Sequence, residues 1–204
     1  MSHNIDHIFY INIDYRTDRK ELFENDMRNM GLMDKVERFN AFRTEYGATG
    51  CGLSHIAVLK LAKERGYKNV LICEDDFQFL VDKKTFEKEL DTFFKTIDKF
   101  DVCMFSYSLK RHQEVPNNDQ LYKVLEANTT SGYLINAHYI DVLLKLYEET
   151  VPLLESTRDC FKYAVDQTWK RFQAIDTWYC FKNRIGKQRQ SYSDITHLYE
   201  NYNI

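Results

Sequence analysis

Proline is scarce, at two residues in 204, and no low-complexity stretch or internal repeat divides the chain. No apolar run approaches the ~20 residues that a bilayer-spanning helix needs. The opening residues, Met1 to Asp6, are polar and do not read as a signal peptide. The formal net charge is only -3, so nothing global pulls the chain toward nucleic acid or an anionic membrane. No nucleic-acid recognition motif is present either. Cysteine is too sparse for a disulfide framework: five residues, at 51, 73, 103, 160 and 180, an odd count with no pair at metal-site spacing. Cys73 and Cys103 lie in apolar runs, where a thiol behaves as a small hydrophobe. These absences lead us to expect a soluble, reduced, cytoplasmic chain.

What is present is enough for a core. Hydrophobic residues make up 44% and charged residues 29%, a globular balance that argues against wholesale disorder. Tyr and Phe number 14 each; most should pack a core, and some can line a sugar site. We expect a single domain over residues 1–204.

The chain alternates strands and helices. HIFYINI (residues 7–13) reads as a buried strand. Asp18 with Glu21 suggests a capping-box start for a helix ending near Gly31. A short strand is expected at Val36–Phe39. The run GATGCG (47–52) reads as flexible, opening a helix from Leu53 to Arg65. NVLIC (69–73) is the strongest parallel-strand signal and runs into Glu74, Asp75 and Asp76. Phe86, Leu90, Phe93, Phe94 and Ile97 recur at helical spacing. DVCMFSY (101–107) reads as a strand, 111–120 as a polar loop, and 122–127 and 130–135 as strands. Helices are expected at 139–149 and 159–172, and a strand near 178–181. The order implies an α/β fold with a mixed, mainly parallel sheet. Ligands of such sheets bind beyond the carboxyl ends of the strands. That rule singles out Asn12, the GATGCG run and the acidic triplet.

Three clustered acids repel one another unless a cation sits among them. A hard divalent ion such as Mn²⁺ or Mg²⁺ would relieve this, with oxygen ligands at roughly 2.0–2.2 Å. Residues 74 and 76 point to one side of an extended strand, so both can reach one metal. The competing reading is a solvated strand end. Arg16, Arg19 and Lys20 open a helix where cations oppose the macrodipole, which a phosphate nearby would correct; an exposed polar helix start is the alternative. Ser54 and His55 follow the glycine run and can serve an anion at a helix start, or be structural. Lys182, Arg184, Lys187 and Arg189 can close over a diphosphate or form a solvated face. His197 is a candidate third metal ligand.

Taken in order, four segments resemble glycosyltransferase family 25: IFYINIDYRTDRKELF (8–23), GATGCGLSHIAVLKLAKERGYKNVLICEDDFQFL (47–80), TSGYLINAHYIDVLL (130–144) and QSYSDI (190–195). That family includes lipooligosaccharide and procollagen galactosyltransferases. The resemblance implies a GT-A type, Rossmann-like nucleotide-sugar-binding domain. It implies that Asp76 is the direct metal ligand and Glu74 a ribose or metal contact, with Asp75 between them on the donor. Asn12, Arg16 and Arg19 would face the nucleotide, beside Ser54 and His55. Gln190, Ser193 and Asp194 would close the site. Asp166, in YAVDQTW, would be the base for an inverting transfer. Many members carry larger hydrophobic residues where this chain has Cys51 and Cys73. The implied activity is transfer of galactose or glucose from a UDP-sugar to a hydroxyl acceptor on a glycan, lipid-linked sugar or protein. Residues 1–110 would form the nucleotide half and 111–204 the acceptor half with a closing tail. A non-catalytic nucleotide- or carbohydrate-binding module, and another metal-dependent nucleotide enzyme, are the competing functions.

Overall fold

The computed structural model describes residues 4–192 and 198–200. The strands are β1 (His7–Asn12), β2 (Val36–Asn40), β3 (Asn69–Glu74), β4 (Phe77–Phe79), β5 (Val102–Met104), β6 (Ser108–Val115), β7 (Asn118–Asn128), β8 (Gly132–Asn136), β9 (Trp178–Phe181), β10 (Gly186–Gln188), β11 (Ser191–Tyr192) and β12 (Tyr199–Glu200). The helices are α1 (Thr17–Met30), α2 (Gly47–Glu64), α3 (Lys83–Thr96), α4 (Ile140–Thr157), α5 (Cys160–Tyr163), α6 (Val165–Thr168) and α7 (Lys170–Gln173).

An eight-stranded sheet has the order β2-β1-β3-β8-β5-β9-β7-β6. Six strands point one way, while β8 and β7 run against them. This is the mixed, mainly parallel α/β sheet that the alternating pattern implied. The period-2 alternation of strands sorts side chains into two cores. Phe9, Ile11, Val70 and Ile72 face one core, with Val58, Leu59, Leu143, Tyr147 and Trp169 from the helices on that side. Ile8, Tyr10, Leu71 and Cys73 face the other, with Phe23 and Met27 of α1 and Phe86 and Phe93 of α3. No helix among the described residues is long and apolar enough to cross a membrane.

Several boundaries differ from the sequence expectation, each for a physical reason. The N-cap of α1 is Arg16, with no side-chain cap; Asp18 is instead held by the Arg16 guanidinium at 2.9–3.0 Å. Residues 111–120 are not a loop. They belong to the β6–β7 hairpin, which forms one edge of the sheet with register shifts along it. Charged side chains on an edge strand discourage pairing with another chain, and they also disguise it as a loop. Helix α4 continues through Pro152 because Val151 and Leu154 remain buried. The stretch 159–172 breaks into three short helices, with Ala164 extended between the first two.

The glycine run is helical rather than flexible. Helix α2 starts at Gly47, so Ser54 and His55 stand two turns inside it. A Cβ at Gly50 would collide with the backbone oxygen of Phe42, and one at Gly52 would meet Val151 at 2.6 Å. These glycines let α2 pack flush against the 42–44 segment and α4. Gly50→Ala should therefore cost about 1–3 kcal/mol by overpacking, despite the better helix propensity of alanine. A urea titration that left the unfolding midpoint unchanged or raised it would remove this account of the run.

Candidate active site

The acidic triplet sits where β3 ends, and its members go separate ways. Glu74 is the last strand residue, and its Oε1 accepts from Thr130 Oγ1 at 2.6 Å and pairs with His55 Nε2 at 3.3 Å. Sheet order makes this possible: β8 runs antiparallel beside β3, and the Glu74 amide donates to the carbonyl of Ser131. His55 is fully buried, and its Nδ1 meets the Tyr133 hydroxyl at 3.0 Å. Burial pushes Glu74 up, but the His55 and Thr130 contacts outweigh it and hold the carboxyl below its usual range.

Asp75 turns to the other face. Its Oδ2 accepts from Asn12 Nδ2 at 2.7 Å and its Oδ1 from Arg19 Nη1 at 2.8 Å. Asn12 is itself fixed, since its Oδ1 accepts from Arg38 Nε at 2.7 Å. Asp76 Oδ2 accepts from Gln188 Nε2 at 3.0 Å and lies 3.5 Å from Arg19 Nη1. Its Oδ1 is buried with no hydrogen-bond partner among the described residues. Burial, followed by the charges of Glu74 and Asp75, pushes the Asp76 carboxyl up to about 7.

Arg19 explains why the triplet does not fly apart. Besides the two aspartates, its Nη2 donates to Ser191 Oγ at 2.7 Å and to the Tyr192 carbonyl at 2.8 Å. Arg16 reaches the same carbonyl at 3.2 Å, and Lys20 pairs with Glu24 at 3.1 Å. The cations at the start of α1 thus face protein carboxylates, where the sequence suggested a phosphate. The tail is strapped over the turn by the same logic. Strand β10 pairs with β4, and the Arg189 amide donates to the Asp76 carbonyl at 2.6 Å. Among the described residues, the tail cations do not converge on one anion. Lys182 pairs with Glu114, Arg184 lies over the Tyr107 ring and Arg189 pairs with Asp26.

A cleft of about 410 Å³ opens beside this turn, lined by Glu74, Thr130, Gln188, Asp166, Lys110 and Cys51 among others. Asp166 stands on the wall, where its Oδ2 accepts from the Thr129 amide at 3.2 Å and from Asn128 Nδ2 at 3.4 Å. Gln188 connects the parts: its Nε2 holds Asp76, and its Oε1 accepts from Thr129 Oγ1 at 3.2 Å. Ala48 and Cys51 bring the first turns of α2 to the cleft.

Of the residues singled out in the sequence, Glu74 and Asp166 face the cleft and Asp76 lies behind Gln188. Asn12 and Asp75 are 1% and 6% exposed and are spent on internal bonds. Ser54 is fully buried; it donates to the Gly50 carbonyl and accepts from the Phe42 amide. It therefore braces α2 and presents nothing to an anion. His55 is buried between Glu74 and Tyr133. Gln190 is exposed, and the tail glutamine that reaches the turn is Gln188, two residues earlier. Ser193, Asp194 and His197 lie outside the described residues. Sequence reasoning missed Thr130, Gln188 and Arg38, whose roles arise from strand order and not from local pattern.

The residues fit a cation at the turn: Asp76 has a buried oxygen to spare, and the local carboxylates outnumber the cations that face them. Without such an ion, a carboxyl raised to about 7 makes folding less favourable as pH rises from the ordinary aspartate range through 7. In that window the unfolded chain has already lost the proton that the folded chain keeps. In chelator-treated buffer, Asp76→Asn should raise the thermal midpoint at pH 8, by an effect on the order of a few kcal/mol, and leave it nearly unchanged at pH 4. Equal shifts at both pH values in a melting series would contradict the assignment. Arg19→Gln should do the opposite at neutral pH, costing about 3–5 kcal/mol because it strands two buried carboxylates, as urea unfolding would register.

Residues 44–169 match the family described as glycosyltransferase family 25 (LPS biosynthesis protein). A curated relative from Drosophila pseudoobscura pseudoobscura, a glycosyltransferase 25 family member, is 26% identical over 198 residues, 81% of this chain and 31% of that protein. The chain spans about a third of that relative's length. Among solved structures, the fold is similar to a mannose-1-phosphate geranyltransferase from Thermus thermophilus, with TM-score 0.50, 9% identity, and coverage of 91% of this chain and 74% of that one. It is equally similar to a UDP-glucose pyrophosphorylase complexed with UDP-glucose, with TM-score 0.50, 7% identity, and coverage of 90% and 74%. At such low identity these two structures speak for the GT-A-like α/β fold alone. The family match takes in α2, the whole acidic turn and Asp166, and on it the chain belongs to glycosyltransferase family 25.

Proposed function

We propose that this chain transfers a hexose, galactose or glucose, from a UDP-sugar to a hydroxyl of a glycan acceptor, with inversion at the anomeric carbon. The observation that carries this reading is that Glu74, at the end of β3, and Asp166, in α6, open onto one cleft beside the Asp76 turn. Its volume lies in the range of sites that enclose small molecules. Residues 1–110 supply the donor side and residues 111–204 the acceptor side. The family's description as an LPS biosynthesis protein favours a lipopolysaccharide-type glycan as acceptor.

Each group has a task in this scheme. Glu74, held by His55 and Thr130, accepts hydrogen bonds from hydroxyls of the bound donor. The start of α2 offers its positive end to the diphosphate. Asp166 is oriented by the Thr129 amide, Asn128 and Gln167. It takes the proton of the acceptor hydroxyl. The acceptor oxygen then bonds to the anomeric carbon as the bond to the diphosphate breaks and its electron pair leaves with UDP. Positioning and fixed charges lower the barrier. A divalent ion, Mn²⁺ or Mg²⁺, held by Asp76 would supply positive charge to the departing diphosphate.

The test is donor hydrolysis and transfer across UDP-, GDP- and CMP-sugars, with Mn²⁺ and with chelator. Release of UDP from one sugar donor, abolished by chelator and by Asp76→Ala, is expected. Asp166→Asn should lower kcat by roughly 10²–10⁴-fold while leaving the affinity for UDP unchanged. Release of pyrophosphate or inorganic phosphate in place of UDP would overturn the reading in favour of another nucleotide enzyme. Binding of nucleotide with no release from any donor would leave a binding module.

A further inference from the structure

A second set of metal-ligating atoms stands at the floor of the cleft, apart from Asp76. Cys51 and His55 are four residues apart in α2, so their side chains share one helix face. Glu74 approaches them from β3. The cysteine Sγ, the histidine Nε2 and a Glu74 carboxylate oxygen all lie within 4.8 Å of one another. The Nε2 to Oε1 separation is 3.3 Å and the Sγ to Oε1 separation is 4.0 Å. Around a tetrahedral zinc ion, with bonds of about 2.0–2.3 Å, such atoms stand roughly 3.3–3.6 Å apart. The three atoms are thus close to the spacing that a bound ion would impose.

Their surroundings also suit a bound ion. The Tyr133 hydroxyl lies 3.0 Å from His55 Nδ1 and can accept its proton, the outer contact that fixes a ligating imidazole. Thr130 Oγ1 donates to the same Glu74 oxygen at 2.6 Å and fixes its position. Cys51 and Glu74 both line the cleft, which gives an ion a way in. A donor set of sulfur, nitrogen and oxygen suits a borderline ion such as Zn²⁺ and is a poor match for Mg²⁺ or Mn²⁺, which prefer oxygen alone.

We propose that Cys51, His55 and Glu74 form a three-ligand site for Zn²⁺ or a divalent ion of similar softness, distinct from the acidic turn. On binding, the Cys51 thiol gives its proton to solvent, the Nε2 proton with which His55 faces Glu74 is given up as well, and the ligating imidazole carries its one N–H on Nδ1, toward Tyr133. An ion there occupies one Glu74 oxygen and leaves the other to accept hydrogen bonds. The site does not depend on the transferase reading, because it is read on the chain alone.

Titration with Co²⁺ alone, a spectroscopic stand-in for Zn²⁺, tests it. One equivalent should produce a thiolate-to-cobalt charge-transfer band in the near ultraviolet, and added Zn²⁺ should bleach it. Cys51→Ser should abolish the band. Cys160→Ser should keep it, although Cys160 lines the same cleft, and so should Asp76→Asn. Glu74→Gln, which preserves shape, should weaken Co²⁺ affinity by about tenfold or more. Far-ultraviolet circular dichroism confirms that each variant is folded, and Cys51→Ala replaces the serine variant if that one is not. A wild-type chain without the band at saturating Co²⁺ would overturn the proposal. So would a band that survives loss of Cys51 or disappears with Cys160, or an affinity that Glu74→Gln leaves unchanged.

Discussion

A guanidinium whose side chain is only 11% exposed stands against two carboxylates that are 8% and 7% exposed, and the site is arranged around that contact. Taking charges out of water costs several kcal/mol for each ion unless partners replace the lost hydration. Arg19 supplies those partners in two directions, toward Asp75 and Asp76 on one side and toward Ser191 and the Tyr192 carbonyl on the other. Arginine suits the task because its planar fork reaches several acceptors at once without losing its charge. The start of α1, the end of β3 and the tail are thereby tied to one point.

The compensation is incomplete. One guanidinium faces two aspartates, with Glu74 close enough to raise Asp76 further. That deficit of positive charge is the physical reason to expect a cation at the turn. The division of labour within the triplet follows from strand geometry. Glu74 belongs to the face that packs on α2, Asp75 to the face that packs on α1, and Asp76 to the turn that leads into β4. One run of three acids therefore serves a cleft, a scaffold and a buried charge centre.

Much of the fold was legible because burial leaves marks at fixed periods. Strands β1 and β3 are continuous apolar runs, and α3 repeats Phe86, Leu90 and Phe93 at helical spacing. The failures have equally definite causes. The β6–β7 hairpin hid behind the charges that protect a sheet edge. The glycines before Ser54 read as flexible, because a sequence does not show that Phe42 and Val151 press against them. At the site, the acidic triplet could be picked out by residue type, and Asp166 through the family resemblance. Thr130 and Gln188 could not, because their meeting with Glu74 and Asp76 depends on β8 lying beside β3 and β10 beside β4.

Strand β10 lies flush on β4 because Gly186 has no side chain to hold it away from Phe77. Gln188, at its end, contacts Asp76 across 112 residues of sequence. A nascent chain therefore makes the acidic turn long before the strand that dries it. Away from β10, Asp76 would be hydrated, and the largest cause that pushes its carboxyl up would be absent. Docking replaces that water with protein and makes the carboxylate reluctant to carry its charge alone. Strand β10 thus keeps the turn dry. Without that one short strand the turn would be hydrated and its demand for a cation weaker, with no change in β3, which leads into the three acids.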